Sequence, residues 1–208
     1  MKTFLTSYLY GTKNTLKEFL YGSEFNDIVF IPTASNVEEY DGYVHEAIDV
    51  FKGLNYNISI LDIANTEREK IIETLKDCKC LYVSGGNTFF LLQELYRKEI
   101  LDYIREKVYE GMTYIGESAG AMICSKNIEY VELMDDKTLA PELTQYEGLG
   151  IIDFYVVPHF KEYPFEKSSQ AIIDKYKDLL DLLPLNNSEA VININKTQTI
   201  RKESSYVG

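Results

Sequence analysis

Residues 113–121 read TYIGESAGA, in which a short apolar segment runs into small residues on both sides of Ser118. Gly116 and Gly120 fit the G-x-S-x-G pattern of a strained turn that joins a strand to a helix and exposes the serine hydroxyl. Glycines at these two places let the strand and the helix approach without a Cβ clash. An isolated match is also typical of an unreactive turn, so the neighbouring segments determine what it means.

The rest of the chain alternates short β-branched or aromatic runs with helical patterns. This alternation predicts one α/β domain over residues 1–208, with helices on both faces of a mostly parallel sheet. A strand before Ser118 and a helix after it are part of that pattern, as a reactive turn requires. Strands are predicted at 2–7, 27–32, 57–61, 78–84, 113–116, 154–157, 190–194 and 197–201, and the longer helices at 12–19, 38–53, 66–75, 100–109 and 165–183.

The charge balance limits the partners that the chain can have. With 33 acidic and 21 basic residues, the formal net charge is -12. We expect no binding of nucleic acid, because that polyanion requires clustered Lys and Arg. No window approaches the ~20 apolar residues of a membrane span, and residues 1–10 do not resemble a signal peptide, so a cytoplasmic protein without a membrane partner is expected. The 17 Tyr leave a homodimer contact open.

Three cysteines and two histidines offer little material for a metal site. Cys78 and Cys80 are two apart, which is not the spacing of a zinc knuckle, and with Cys124 they form an odd number. We expect all three to be reduced, and no metal to be bound.

A serine hydroxyl becomes a good nucleophile only when a neighbouring base can take its proton. His159 follows the predicted strand 154–157 and should emerge at the same sheet edge as Ser118. His45 lies inside the predicted helix 38–53 and is the weaker candidate. His159 is therefore predicted to be the base, although a loop histidine bonded to the backbone would show the same pattern.

A third group should hold the imidazole tautomer and stabilise its charged form. Asp136 is the predicted acid, with its neighbour Asp135 and the later Glu189 as alternatives. Adjacent carboxylates in a polar segment are also typical of a solvated surface.

Residues 85–88, GGNT, end a predicted strand and open a helix. That geometry presents backbone N–H groups toward an anion. A phosphate-binding loop would need a Walker lysine or the spacing G-x-G-x-x-G, and neither is present. We predict that the amides of Gly86 and Ala119 form an oxyanion hole, while Asn87 or Thr88 caps the helix.

Three separated motifs occur in a fixed order: GGNTF at 85–89, GESAGA at 116–121 and PHF at 158–160. The set resembles the dipeptidase E family of serine peptidases, which are relatives of cyanophycinase, and the similarity in organisation covers nearly the whole chain. It implies a three-layer, flavodoxin-like fold similar to that of class I glutamine amidotransferases, without a metal or an organic cofactor.

The resemblance also implies roles for individual residues. The family's nucleophile falls on Ser118, its histidine on His159, and its oxyanion amides on Gly86 and Ala119. The family's acid aligns with Asp136 or with the segment before the late strand, where this chain has Asn187, Ser188 and Glu189.

Specificity is a point on which the chain departs from the family. The resemblance implies that aspartyl dipeptidases hold the substrate's aspartate with a basic residue after the histidine, whereas residues 167–170 read KSSQ here, with no arginine. Specificity for an N-terminal aspartate is therefore not expected.

Two functions follow from these predictions. The first is hydrolysis of short peptides, in which Ser118 attacks the carbonyl and His159 transfers the proton. The alternative is a ligand-binding or regulatory protein of the same fold with weak or no activity. A carboxylate within hydrogen-bond distance of His159 would favour the peptidase, and its absence the ligand-binding protein.

Overall fold

A seven-stranded sheet forms the centre of the computed structural model, which describes residues 1–194 and 197–203. Its strands are β1 (Lys2–Thr6), β2 (Asp27–Ile31), β3 (Asn57–Ile60), β4 (Cys80–Val83), β5 (Thr113–Glu117), β8 (Glu189–Ile194) and β9 (Thr197–Lys202). They lie in the order β3-β2-β4-β5-β1-β8-β9. The first five strands are parallel to one another, β8 is antiparallel to β1, and β9 is antiparallel to β8. The predicted mostly parallel α/β sheet is confirmed.

Helices cover both faces of this sheet because alternate residues of each strand point to opposite sides. Phe4, Phe30 and Tyr82 pack with side chains from α1 (Lys13–Leu20) and α2 (Gly42–Gly53). Their strand neighbours Leu5, Ile31 and Val83 pack on the other face. The helices on that face include α3 (Arg68–Lys76), α4 (Thr88–Arg97) and α5 (Leu101–Glu110).

A second, two-stranded sheet lies outside the main one and consists of β6 (Tyr155–Val157) and β7 (Leu182–Pro184) in parallel. The sequence prediction was wrong in two respects here. The predicted helix 165–183 ends early, as α7 (Glu166–Tyr176), and the strand before His159 does not join the main sheet. Residues 182–184 are extended because their backbone pairs with β6, and Pro184 could not continue a helix in any case.

The remaining predicted boundaries agree with the structure to within two residues, apart from the start of α2. That helix begins at Gly42 rather than at residue 38, since Glu38 has an extended backbone after a separate 3-10 helix at residues 33–37.

The turn after β5 depends on very close backbone packing. It connects β5 to the short helix α6 (Ala119–Met122). A Cβ at Gly116 would lie 2.3 Å from Gly120 O, and a Cβ at Gly120 would lie 2.2 Å from Val83 O. Both contacts are with backbone, which cannot move aside as a side chain can.

We therefore expect Gly120→Ala to lower the free energy of unfolding by about 1–3 kcal/mol or more, because β4 must shift to admit the methyl group. Gly53→Ala is the matched control, since Gly53 ends α2 and a Cβ there would meet no neighbouring atom within 4 Å. The control should be neutral or stabilising by up to about 1 kcal/mol. Urea unfolding measures both, and equal stability of the two variants would contradict the packing argument.

Candidate active site

Ser118 lies at the turn between β5 and α6 in a strained backbone conformation. Its φ of 48° and ψ of −105° are unusual for a residue with a side chain. The turn is held on both sides: Ser118 N donates to Thr6 O of β1 at 2.9 Å, and Tyr114 Oη donates to Gly120 O at 2.7 Å. The local sequence thus produces the predicted strand-to-helix turn.

His159 follows β6 and also has a positive φ, of 55°. Its Nε2 lies 3.0 Å from Ser118 Oγ, which is hydrogen-bond distance. The ring stacks on Phe165, with 4.7 Å between the ring centroids. The structure therefore brings Ser118 and His159 together, while His45 lies exposed on α2.

The other ring nitrogen of His159 contacts an amide side chain. Nδ1 lies 2.7 Å from Asn187 Oδ1. Because an amide oxygen can only accept, Nδ1 carries the proton and Nε2 is left to accept the Ser118 hydroxyl. Burial lowers the pKa of His159, and the Asn187 hydrogen bond and the charge of Glu162 act in the opposite direction.

The prediction that Asp136 orients His159 is corrected by this geometry. Asp136 Oδ1 accepts from Thr138 N at 2.8 Å and from Thr138 Oγ1 at 2.7 Å, so it caps the 3-10 helix at residues 137–139. A short aspartate beside its own helix start satisfies local backbone donors, and it is not available to a distant loop. In the described part of the chain, no carboxylate oxygen lies within 4.0 Å of a His159 ring nitrogen.

The two alternative acids are also occupied elsewhere. Asp135 Oδ2 accepts from Thr88 N at 2.8 Å, and burial raises the pKa of Asp135 to about 6. Glu189 Oε2 accepts from Asn186 N at 3.0 Å. Glu189 therefore stabilises the loop that carries Asn187, without reaching the histidine itself.

Asn187 was named from the sequence only as part of the segment 187–189 in which the resemblance could place the third group, and the motifs did not single it out. It lies between β7 and β8, and β7 was hidden within a predicted helix. A strand ending at residue 184 would have placed the following loop beside the loop that follows β6, since the two strands are parallel.

The glycine loop after β4 lies beside the serine. Gly86 has a φ of 126°, and a Cβ there would lie 2.2 Å from Ala34 O. Within the described residues, no acceptor is found for the Gly86 or Ala119 amide. Asn87 caps α4 by accepting from Phe90 N at 2.9 Å, as predicted.

Other kinds of site find little support. In residues 1–194 and 197–203, no group of three or more His, Cys, Asp or Glu side chains is placed to hold a metal ion. Cys78, Cys80 and Cys124 carry free thiols. The helices of the described part of the chain are too short or too polar to cross a membrane.

Comparison with known proteins identifies the family of the chain. The model of peptidase family S51 matches residues 4–201. This chain belongs to peptidase family S51. The match confirms the resemblance drawn from the three motifs and identifies the chain as a serine-type peptidase.

Relatives of this S51 peptidase extend over most of its length. An uncharacterized peptidase of Pasteurella multocida is 42% identical over 200 residues, which cover 96% of this chain and 97% of the relative. Peptidase E of Nostoc sp. is 28% identical, over 96% of this chain and 78% of its own. A crystal structure of a Listeria monocytogenes protein, described as a candidate peptidase E, superposes with a TM-score of 0.93 at 37% identity, over 98% of both chains.

Glu117, the residue before Ser118, forms a buried polar cluster beneath the turn of the S51 peptidase. Its carboxyl group accepts from Leu9 N at 2.8 Å and from Tyr82 Oη. Burial raises the pKa of Glu117 to about 7, although these two hydrogen bonds act to lower it. The side chain thus joins β5 to the segment after β1.

The raised pKa predicts a dependence of stability on pH. Between about pH 4.5 and 7 the folded state holds a proton on Glu117 that the unfolded state has lost, so this contribution to stability declines as pH rises. Across that range the free energy of unfolding of Glu117→Gln should fall less than that of wild type, by up to about 3 kcal/mol. Urea unfolding at several pH values between 5 and 8 measures the difference, and parallel curves would show that Glu117 titrates normally.

Proposed function

We propose that this S51 peptidase hydrolyses short peptides with Ser118 as nucleophile, His159 as general base and Asn187 as the group that orients His159. The observation that carries the proposal is the 3.0 Å distance from His159 Nε2 to Ser118 Oγ. The hydrogen bond from Nδ1 to Asn187 Oδ1 supports it, because it selects the tautomer in which Nε2 can accept a proton.

The reaction would follow the usual course of acyl transfer through a serine. Ser118 Oγ attacks the peptide carbonyl as its proton passes to His159 Nε2, and the amides of Gly86 and Ala119 donate to the developing oxyanion. His159 then protonates the leaving amine, and the same imidazole activates water to release the acyl group from Ser118. The absence of an acceptor for both amides among the described residues is consistent with donors kept free for substrate.

With an amide as the third group, we expect a lower turnover than that of a peptidase whose histidine is oriented by a carboxylate. Asn187 can hold the ring and its tautomer, but it carries no charge to stabilise the imidazolium that forms when Ser118 is deprotonated. This feature also supports the second candidate, a ligand-binding protein with weak activity. Measuring the turnover of variants at residue 187 distinguishes the slow peptidase from the ligand-binding protein.

Asn187→Asp should raise the pKa of His159, because a carboxylate favours the charged imidazolium. The acid limb of the kcat/KM profile should therefore move to higher pH, and kcat at high pH should rise or remain equal. Asn187→Ala should lower kcat about 10-fold or more at every pH, since the ring loses its orienting bond. A pH profile that is the same in all three proteins would exclude an orienting role for Asn187.

The surroundings of Ser118 favour substrates that lack an N-terminal acid. A Cβ at Gly85 would touch both Ser118 Cβ, at 3.3 Å, and the ring of Tyr43, at 3.5 Å, so Tyr43 borders the reacting serine. Burial raises the pKa of the Tyr43 hydroxyl, and all the neighbours whose charge adds to this rise are carboxyls. They are Glu38 and Asp41, joined by Glu117 and Asp135 at a pH above the raised pKa of each. A carboxylate on the substrate would be repelled there.

A dipeptide library tests the activity and this preference together. We expect peptides with Lys or Ala at the N-terminus to be cleaved with kcat/KM about 10-fold higher than peptides with Asp, and no cleavage by Ser118→Ala. Cleavage that persists in Ser118→Ala would assign the activity to another residue or protein. Equal or better cleavage of the Asp peptides would exclude the charge argument, whereas no cleavage by wild type would leave the ligand-binding function.

A further inference from the structure

The two groups of the proposed catalytic pair belong to different sheets. Ser118 follows β5 of the main sheet, whereas His159 follows β6 and Asn187 follows β7 of the two-stranded sheet. No strand pairing joins β6 or β7 to the main sheet within the described residues. The 3.0 Å distance between the pair must therefore be maintained by contacts other than strand ladders.

Ser7 makes such a contact at the point where the two sheets meet. It directly follows β1, the main-sheet strand beside β5, and its side chain is 1% exposed. Its hydroxyl accepts from His159 N at 3.1 Å and donates to Leu185 O at 2.8 Å. One side chain thus binds the ends of both strands of the small sheet.

The hydrogen bonds hold the backbone of His159, whose conformation is strained. His159 has a φ of 55°, which is unfavourable for a residue with a side chain. Phe160 N donates to the same Leu185 O, at 2.9 Å, so the peptide units on both sides of His159 are held. The residue before Ser7 holds the nucleophile, because Thr6 O accepts from Ser118 N.

We infer that Ser7 is a positioning residue of the peptidase, whose buried hydroxyl fixes the backbone of His159, and through it the imidazole, relative to Ser118. The inference rests on the proposed function, in which His159 is the base for Ser118. It goes further by naming the group that sets the distance between them.

The variants are chosen to separate positioning from general stability. Ser7→Ala removes both hydrogen bonds, and Ser7→Cys keeps a group of similar shape that bonds more weakly. Ser125→Ala is the matched control: Ser125 is fully buried, and its hydroxyl donates to Phe154 O, just before β6, at 3.2 Å without contacting the catalytic pair.

The first measurement is the second-order rate constant for labelling of Ser118 by a fluorophosphonate, together with kcat, KM and the melting temperature. We expect Ser7→Ala to react at least 10-fold more slowly with KM within twofold of wild type, Ser7→Cys to be intermediate, and Ser125→Ala to react within twofold of wild type. Labelling of Ser7→Ala within twofold of wild type would overturn the inference. So would equal losses in Ser7→Ala and Ser125→Ala, which would indicate stability alone. If Ser7→Ala does not fold, Ser7→Cys is judged by the same criterion.

The second measurement does not require activity. The chain has two histidines, so imidazole NMR signals at a fixed pH report His159 with the exposed His45 as an internal reference. Ser7→Ala should shift the His159 signals and leave those of His45 in place, and unchanged His159 signals would overturn the inference. If wild-type Ser118 is not labelled, the proposed nucleophile fails, and the NMR result still decides whether Ser7 positions the ring.

Discussion

The close approach of three backbone segments at the turn after β5 is the constraint on which the site depends. Because residue 116 is glycine, the Gly120 carbonyl can lie against β5, and because residue 120 is glycine, the Val83 carbonyl of β4 can lie against the turn. A Cβ at either glycine would prevent the approach. Ser118 has a positive φ within this close packing, and its amide donates a hydrogen bond to the Thr6 carbonyl. The strain is stable because the sheet on one side and α6 on the other over-determine the turn. This turn places Ser118 Oγ within hydrogen-bond distance of Nε2 of His159, which follows a strand of the second sheet.

An amide in place of an acid alters the electrostatics of the pair. His159 is partly buried, and burial lowers its pKa, so the ring prefers to remain neutral. Asn187 aligns the ring without adding a buried charge that would itself need a partner. The nearby carboxyls satisfy other groups: Asp135 binds the start of α4, and Glu189 binds the loop of Asn187. In the proposed mechanism Asn187 supplies the orientation that an aspartate gives in an ordinary triad, without the charge stabilisation.

Agreement between sequence prediction and structure was best where a feature depends on neighbours in the chain. The strand at 113–117, the cap at Asn87 and the helix 101–110 all follow from local periodicity, glycine and capping preferences. Agreement failed at residues 177–183, which lie beyond the end of α7 and of which 182 and 183 pair with β6, and at Asp136, where the nearest backbone donor took the carboxylate. Both failures concern competition between partners, which a linear pattern does not resolve.

The sequence by itself determined the α/β class and the turn at Ser118, because each depends on residue types at short spacing. It also named His159 over His45, although the strand that precedes His159 belongs to a different sheet from the one expected. Only the tertiary structure decided that His159 comes from a separate small sheet, that Asn187 is its partner and that Ser7 joins the two sheets. These contacts join residues up to 178 positions apart. They follow from how whole elements pack, since hydrogen bonding requires atoms to meet within about 3 Å and no local pattern encodes which distant atoms will do so.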